Sequence, residues 1–245
     1  MRRMRGEIKA GTLYGVGVGP GDPELMTLKA LRVLKEADVI AAPVSKESSP
    51  ASSSNALGVV KKNMSMEGKV ILPLFFPMTK DEEAVKASRR AGAEEIAERL
   101  KEGDDVAFVT LGDPMLYSTF SYLVPLVKGL VPGAGISAVP GVNSFSAAAA
   151  RALTPLAESG EKVIIIPASY GKEELRRWLK EFDTIVLMKV KRDMDSLVNI
   201  LDEEGLADKA LFASRVGWDK EEVVAGIRGL EGRDLDYFSM VIVRR

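Results

Sequence analysis

The sequence contains neither cysteine nor histidine. Without cysteine it can form no disulfide, no thiolate metal site and no cysteine nucleophile. Without histidine it can support no Ser-His-Asp catalysis, no histidine-bound zinc and no imidazole acid–base chemistry. These absences do not exclude a magnesium ion bound by carboxylates, but we predict no metal site. Any chemistry must use carboxylates, hydroxyls, Lys, Arg, main-chain groups or a bound cofactor.

Long hydrophobic runs and an excess of one charge are also missing. Apolar residues make up 46% of the chain, yet no run approaches the about 18 residues that span a bilayer. The 34 basic and 35 acidic residues are interspersed, so no strongly charged face is expected for nucleic acid or anionic lipid. The basic segment 1–11 lacks the apolar core of a signal peptide. We expect a solvated tail and a soluble, cytoplasmic protein.

Apolar runs alternate with amphipathic segments, which predicts an α/β fold with two lobes at 1–140 and 141–245. In the first lobe intervening helices require a five-stranded parallel sheet. Its predicted strands are Leu13–Val18, Val39–Ala42, Lys69–Leu74, Asp105–Leu111 and Gly135–Val139. In the second lobe we predict a mixed sheet from Lys162–Pro167, Thr184–Val190, Ala210–Val216, Glu222–Ile227 and Tyr237–Val243. The predicted helices include Thr79–Lys101, Met115–Leu130, Phe145–Leu153, Glu173–Glu181 and Asp193–Glu204.

The first strand runs into a turn rich in glycine, with Pro20 inside it. The spacing fails the dinucleotide motif G-x-G-x-x-G, because Pro20 or Asp22 falls where the last glycine should be. Asp22 and Pro23 are typical of a helix start, and we expect the first helix there. Ligands of open parallel sheets bind at the carboxyl ends of the strands. The turn is therefore either part of a binding site for something other than a pyrophosphate or only a tight connection.

A second Gly-Asp-Pro turn follows the fourth predicted strand and contains Asp113. Asp113 either contacts a ligand or caps the helix that we predict next. Asn143 and Ser144 follow the fifth strand, where a third loop could reach the same site. The repetition of the Gly-Asp-Pro turn favours a shared site over coincidence.

The segment after the second strand is rich in serine and poor in large apolar side chains. Such a segment buries too little apolar surface to order itself. We interpret Ser45–Ser54 as a mobile loop or as a lid that becomes ordered when a ligand binds.

Five blocks of the sequence together resemble the tetrapyrrole methylase family, the S-adenosylmethionine-dependent enzymes of corrin and sirohaem synthesis. They are GVGVGPGDPELMTLKA (15–30), VTLGDPMLYSTF (109–120), AVPGVNSFSAAAA (138–150), IVLMKV (185–190) and LFASRVG (211–217). Within the family, FPMTKD (76–81), GDPMLYSTFSYL (112–123) and the serine-rich insertion are most similar to the branch that methylates C-20 of precorrin-2. Asn143 departs from the pattern, because members often carry Ser or Thr there.

The resemblance implies a class III methyltransferase-like fold, a cofactor in the cleft between two lobes, and a homodimer. It assigns S-adenosylmethionine as the co-substrate, and Pro20 to the tetrapyrrole entrance of its site. The remaining cofactor-binding positions implied by the resemblance are Leu111, Gly112, Asp113, Leu116, Asn143, Ser144, Met188, Ala213 and Ser214. The first six would surround the methionine part, and the last three would bracket the adenosine.

Methyl transfer from a sulfonium needs alignment more than acid–base groups, so the missing histidine is no obstacle. The sequence does not identify the group that accepts the proton of the methylated carbon; Asp113 is a candidate, although a cofactor-binding role suits it better. A tetrapyrrole carries many carboxylates. The cations near predicted loop or strand ends are Lys46, Arg151, Lys189, Arg192 and Arg215. Each either pairs with a substrate carboxylate or is an ordinary surface charge.

We therefore expect a methyltransferase that methylates C-20 of precorrin-2 or of its cobalt-containing form, cobalt-factor II, in cobalamin synthesis. One alternative is methylation at another corrin position, which the position of a labelled methyl group would reveal. Another alternative is a nucleotide-binding module without catalytic activity, which would bind the cofactor and turn over no tetrapyrrole.

Overall fold

The computed structural model describes residues 9–47, 49–167, 170–190 and 194–245. The chain divides into two compact units, Met1–Asn143 and Ser144–Arg245, whereas the sequence predicts a boundary between residues 140 and 141. Most of the basic tail, residues 1–8, and the candidate cation Arg192 lie outside the described residues.

The first unit is built on a five-stranded sheet in which every pair of neighbours is parallel. Its strands are β1 (Thr12–Gly17), β2 (Val39–Val44), β3 (Val70–Phe75), β4 (Val106–Thr110) and β5 (Gly135–Val139). Their spatial order is β3-β2-β4-β1-β5. The predicted parallel sheet is confirmed, and β1 lies between β4 and β5, so the turns that follow these three strands are neighbours.

Four α-helices of the described first unit connect these strands. They are α1 (Leu28–Glu36), α2 (Asn55–Asn63), α3 (Glu82–Glu102) and α4 (Phe120–Leu130). Helices α3 and α4 pack on one face of the sheet, where Phe108 stacks on Phe120 with ring centroids 6.2 Å apart. Right-handed crossovers put α1 and α2 on the opposite face, because their connections run the other way along the strand order. The sheet is therefore covered on both faces, as its apolar strands require.

Two helix starts differ from the sequence prediction. Asp22 caps a single 3₁₀ turn, Pro23–Leu25, and α1 begins only at Leu28, where the Thr27 hydroxyl accepts a hydrogen bond from the main-chain N–H of Ala30 (3.1 Å). Thr27 is itself a good N-cap. Helix α4 likewise begins at Phe120 and not at Met115.

Helix α2 was not predicted. It follows the serine-rich segment, whose last residue, Ser54, is 4% exposed and accepts a hydrogen bond from the N–H of Leu57 (3.5 Å). A 3₁₀ turn at Ala51–Ser53 precedes it. Ser48 lies outside the described residues. Whether Ser45–Ser54 acts as a lid stays a prediction.

The second unit has a mixed sheet, as predicted. In chain order its elements are α5 (Ser144–Arg151), β6 (Val163–Pro167), α6 (Lys172–Glu181), β7 (Thr184–Met188), α7 (Met194–Glu203), β8 (Ala210–Ser214), β9 (Glu222–Ala225) and β10 (Ser239–Arg244). The strand order is β6-β7-β10-β8-β9, with β6 parallel to β7 and the other pairs antiparallel. Helices α6 and α7 contribute Leu175 and Leu201 to a core that also holds Phe212 of β8.

No helix in the described ranges combines the length and hydrophobicity needed to cross a bilayer.

Replacing Gly15 with alanine should destabilise the first unit. A Cβ at this position would lie 2.4 Å from the ring of Phe120, which is 1% exposed and has no space to move. We expect a loss of about 1–3 kcal/mol, the usual range for overpacking a core, seen as a lower urea midpoint. Gly58→Ala is the matched control: it lies in α2 with nothing within 4 Å of an added Cβ, so it should leave the midpoint unchanged or raise it. Equal midpoints for Gly15→Ala and the unaltered protein would contradict this packing.

Candidate functional site

The order of the strands in the first sheet contains a point where the direction of the connections reverses. Strands β4 and β1 are neighbours. The connection from β1 leads to β2 on one side of this pair, and the connection from β4 leads to β5 on the other. Ligands of open α/β sheets bind outside the carboxyl ends of strands at such a switch point. The turns after β1 and β4 are therefore the first place to look for a site.

Three glycines bring the turns after β1, β4 and β5 into main-chain contact. A Cβ on Gly141 would lie 2.1 Å from the carbonyl oxygen of Gly112 and 2.9 Å from the Cα of Gly17. A Cβ on Gly17 would lie 2.5 Å from the same carbonyl oxygen. Real side chains do not tolerate such distances, so the approach requires glycine at both positions. The three turns consequently form one surface made largely of main chain.

Main-chain hydrogen bonds fix the turns after β1 and β4 to each other. The N–H of Gly112 donates to the carbonyl oxygen of Gly19 at 2.8 Å, and both glycines have positive φ, +66° and +79°. Apart from the residues next to Gly112 in the chain, the only described atom within 4 Å of a Cβ built on Gly112 is the side-chain oxygen of Asn143, at 3.9 Å. The surface of Gly112 is thus open on the side of Asn143, where a ligand could approach the main chain closely.

Asp113 holds the turn after β4 against the turn after β5. Its Oδ1 accepts a hydrogen bond from the N–H of Met115 (2.8 Å), and its Oδ2 accepts one from the N–H of Gly141 (3.0 Å). The idea that Asp113 caps the next helix is wrong, since α4 begins at Phe120. Each carboxylate oxygen can accept further hydrogen bonds, so this bracing role is compatible with a ligand contact as well.

The other candidates of the first unit lie on or beside these turns. Pro20 is buried, and Leu111, Leu116 and Asn143 are half-buried. Lys46 is exposed and follows β2, the neighbour of β4 on the far side from β1. The carboxyl ends of parallel strands share one edge, so all five residues belong to the same edge of the sheet.

In the second unit the register brings the adenosine candidates together. Met188, at the end of β7, and Ala213, near the end of β8, are both paired with Met240 of β10. Strands β7 and β8 both run antiparallel to β10, so their carboxyl ends lie at the same edge. The hydroxyls of Ser214 and Ser239, both buried, are hydrogen-bonded at 3.1 Å. Met188, Ala213 and Ser214 therefore flank one end of β10.

The remaining cation candidates of the second unit have partners. Arg215 donates from Nη1 to Asp236 at 2.9 Å, and Arg151, the last residue of α5, is ion-paired with Glu221 at 3.3 Å. The ammonium of Lys189 lies 5.3 Å from the ring centroid of Tyr237. Ser144 is the first residue of α5.

Sequence reasoning missed the contact between Gly17 and Gly141, and it missed the contacts of the segment Asp236–Phe238 with Lys189 and Arg215. The first could have been found, because Gly17 and the Pro-Gly pair at 140–141 end two strands of one predicted sheet. The second carried no local signal. Its proximity to Lys189 and Arg215 depends on the pairing of β10 with both β7 and β8, which the sequence does not reveal.

The family model of the Tetrapyrrole (Corrin/Porphyrin) Methylases matches residues 12–229. The chain belongs to this family. The matched range includes the three turns of the first unit and the ends of β7 and β8. The family resemblance drawn from the five sequence blocks is thereby confirmed, and the protein is a methyltransferase.

Relatives with named activities align over nearly the whole chain. The probable cobalt-precorrin-2 C(20)-methyltransferase of Methanocaldococcus jannaschii is 40% identical, over 95% of this chain and 96% of the relative. The precorrin-2 C(20)-methyltransferase of a Sinorhizobium species is 31% identical, over 96% of each chain. The crystal structure of a uroporphyrin-III C-methyltransferase from Thermus thermophilus, complexed with S-adenyl homocysteine, has a TM-score of 0.65 at 24% identity, over 96% of this chain and 98% of that one. This likeness confirms the fold.

Asp113→Ala should loosen the turns without unfolding the unit. The N–H groups of Met115 and Gly141 would lose their acceptor, and each hydrogen bond is worth about 1 kcal/mol. We expect hydrogen exchange in peptides that contain these two amides to become roughly five- to tenfold faster. Asp81→Ala, which removes the capping acceptor of α3, should speed exchange in α3 alone. Unchanged exchange at Gly141 in Asp113→Ala would contradict the bracing role.

Proposed function

We propose that the protein transfers a methyl group from S-adenosylmethionine to C-20 of precorrin-2 or of its cobalt-containing form. The observation that carries this proposal is the alignment with two C(20)-methyltransferases at 31% and 40% identity over nearly the whole chain. The name of one relative specifies the cobalt form and that of the other does not, so both substrates belong in the test.

The surface around Gly112 supports a site for the methionine part of the cofactor. A ligand can approach the main chain more closely where no Cβ intervenes, and the place that a Cβ of Gly112 would take is open, with the side-chain oxygen of Asn143 beside it at 3.9 Å. We propose that Leu111, Gly112, Asp113 and Leu116 line this part. Asn143 and Ser144 complete the set.

For the adenosine we propose Met188, Ala213 and Ser214. Met188 and Ala213 pair with the same residue of β10, and the side chain of Met is well suited to lie against an aromatic base. Pro20, which occupies the turn after β1, is proposed to lie where the tetrapyrrole enters.

The reaction needs little from side chains beyond alignment. A bond forms between C-20 and the methyl carbon as the methyl–sulfur bond breaks. The electron pair of the broken bond stays on sulfur, and C-20 then loses its proton. Holding the reactants in line can supply effective molarities of roughly 10⁵–10⁸ M. Rigid main chain at the glycine contacts provides such positioning, which is why a chain without histidine is suited to this transfer.

Incubation with S-adenosylmethionine and either tetrapyrrole should give a product one methyl group heavier, with the label at C-20 by NMR. Metal-free and cobalt-containing substrates are tested side by side, and the faster reaction identifies the preferred substrate. A label at another ring position would favour the within-family alternative. Cofactor binding without any turnover would favour a module that only senses the nucleotide.

Gly112→Ala should weaken cofactor binding more than it weakens the fold. The added Cβ enters the open space beside Asn143, so we expect the Kd for S-adenosylhomocysteine to rise at least about tenfold in a calorimetric titration, the loss expected when about 1.4 kcal/mol of contact is removed. Gly68→Ala is the matched control, because Gly68 also has positive φ (+76°) but no neighbour within 4 Å of a Cβ. It incurs the same backbone strain and should bind normally. Equal affinities for both variants would remove Gly112 from the site.

A further inference from the structure

Two cationic residues of the second unit have an unusual backbone at equivalent positions. Lys189 directly follows β7 and has φ of +64°, and Arg215 directly follows β8 and has φ of +51°. The strands that they follow flank β10 on its two sides. Residues other than glycine rarely adopt this left-handed conformation, and they keep it where surrounding structure holds them in it.

Main-chain hydrogen bonds hold both residues against the start of β10. The N–H of Arg215 donates to the carbonyl oxygen of Phe238 at 3.3 Å, and the N–H of Val190, next to Lys189, donates to the carbonyl oxygen of Ser239 at 3.1 Å. Neighbouring strands are about 4.8 Å apart, so two residues on either side of β10 are separated by about 10 Å at the main chain.

Their charged groups gather on the same short segment, Asp236–Phe238. The ammonium of Lys189 lies 5.3 Å from the centroid of the Tyr237 ring. Nη1 of Arg215 donates to Oδ2 of Asp236 at 2.9 Å, while Oδ1 of Asp236 accepts the N–H of Phe238 at 2.9 Å. Asp236 is therefore fixed by its own turn and holds the guanidinium in one orientation.

Stability alone does not account for these side chains. Glycine would remove the left-handed strain at both positions. The side chains of the Arg215–Asp236 pair are 38% and 33% exposed, and ion pairs so accessible to water contribute little. Moreover, Nε of Arg215 is shielded from solvent and has no hydrogen-bond partner in the described part of the chain. Stability is therefore only a weak reason for lysine and arginine at these two positions, and binding an anion is a stronger one.

The same segment contributes two aromatic rings, and a third packs on it. Trp218 stacks on Phe238, with centroids 6.3 Å apart and ring planes 12° from parallel, and Tyr237 meets Phe238 edge to face at 5.4 Å. Tyr237 is 37% exposed, and Trp218 and Phe238 are half-buried. Two cations beside partly exposed rings are complementary to a flat, apolar ligand that carries carboxylates at its rim.

We propose that Lys189 and Arg215 bind two carboxylates at the rim of the macrocyclic substrate, with Asp236 positioning the arginine and Tyr237 contacting the apolar body. This subsite rests on the proposed function for the nature of its ligand. It gives two of the cations singled out in the sequence a defined role, and it adds Asp236 and Tyr237, which no sequence signal indicated.

The test measures binding of uroporphyrin, a porphyrin with carboxylates on every pyrrole ring, by its change in absorbance. Lys189→Gly and Arg215→Gly should each raise the Kd by about tenfold or more, the loss expected for one charge-assisted hydrogen bond. Both variants should unfold at the same temperature as the unaltered protein or higher, since glycine relieves the backbone. Arg215→Lys should recover part of the affinity.

Lys220→Gly is the matched control, because Lys220 is an exposed cation with φ of +66°. It should change neither uroporphyrin binding nor the binding of S-adenosylhomocysteine. A porphyrin with a cationic rim supplies the ligand control: its binding should not weaken in Lys189→Gly or Arg215→Gly.

Two results would overturn the subsite. One is uroporphyrin binding that Lys189→Gly and Arg215→Gly leave unchanged; the other is a loss of S-adenosylhomocysteine binding in their place, which would assign these cations to the cofactor. Neither result refutes the proposed methylation of C-20 if the unaltered protein methylates its substrate. The converse result is that the unaltered protein methylates no tetrapyrrole while Lys189→Gly and Arg215→Gly still weaken uroporphyrin binding. That result would support the subsite and refute the proposed function.

Discussion

The structure of the first unit depends on the contact of three glycines, Gly17, Gly112 and Gly141, at the carboxyl ends of three adjacent strands. The distances leave no room for a Cβ at Gly17 or Gly141, so any larger residue there would separate turns that now share one surface. Asp113 strengthens the same contact, because its carboxylate accepts a hydrogen bond from the N–H of Gly141. Close contacts and hydrogen bonds hold this main-chain surface in one arrangement, and the alignment of two substrates requires a surface that is organised in advance.

The second unit also gathers residues from separate strands at one end of its sheet, but it does so by strand pairing and not by contacts between glycines. Its sheet is mixed, and the pairing of β10 with both β7 and β8 brings Met188 and Ala213 to the same level. The next residues on either side, Lys189 and Arg215, turn away from the strands with left-handed backbones. Strand register therefore gathers residues from distant parts of the chain at one end of the sheet.

Much of this could be predicted from the sequence, and the misses have physical causes. Apolar runs and glycine-rich turns predict the two sheets and the turns after β1, β4 and β5. The sequence does not reveal the start of α1, because Asp22 and Thr27 are both good caps and Asp22, which comes first, caps only a 3₁₀ turn. The sequence does not reveal helix α2, because its capping residue, Ser54, is one of many serines in the segment before it. The role of Asp236 could not be foreseen, since it depends on which strand pairs with β10.

The absence of histidine and cysteine, which excludes so much chemistry, is consistent with an enzyme that works by geometry. A sulfonium is already activated, so the protein has to hold a carbon in line with it. The most direct measurement is a crystal structure of the protein with S-adenosylhomocysteine. We predict that the methionine part of the ligand lies against the main chain of Gly112, within hydrogen-bonding distance of the turns that Asp113 joins. A ligand bound away from these turns would contradict the account.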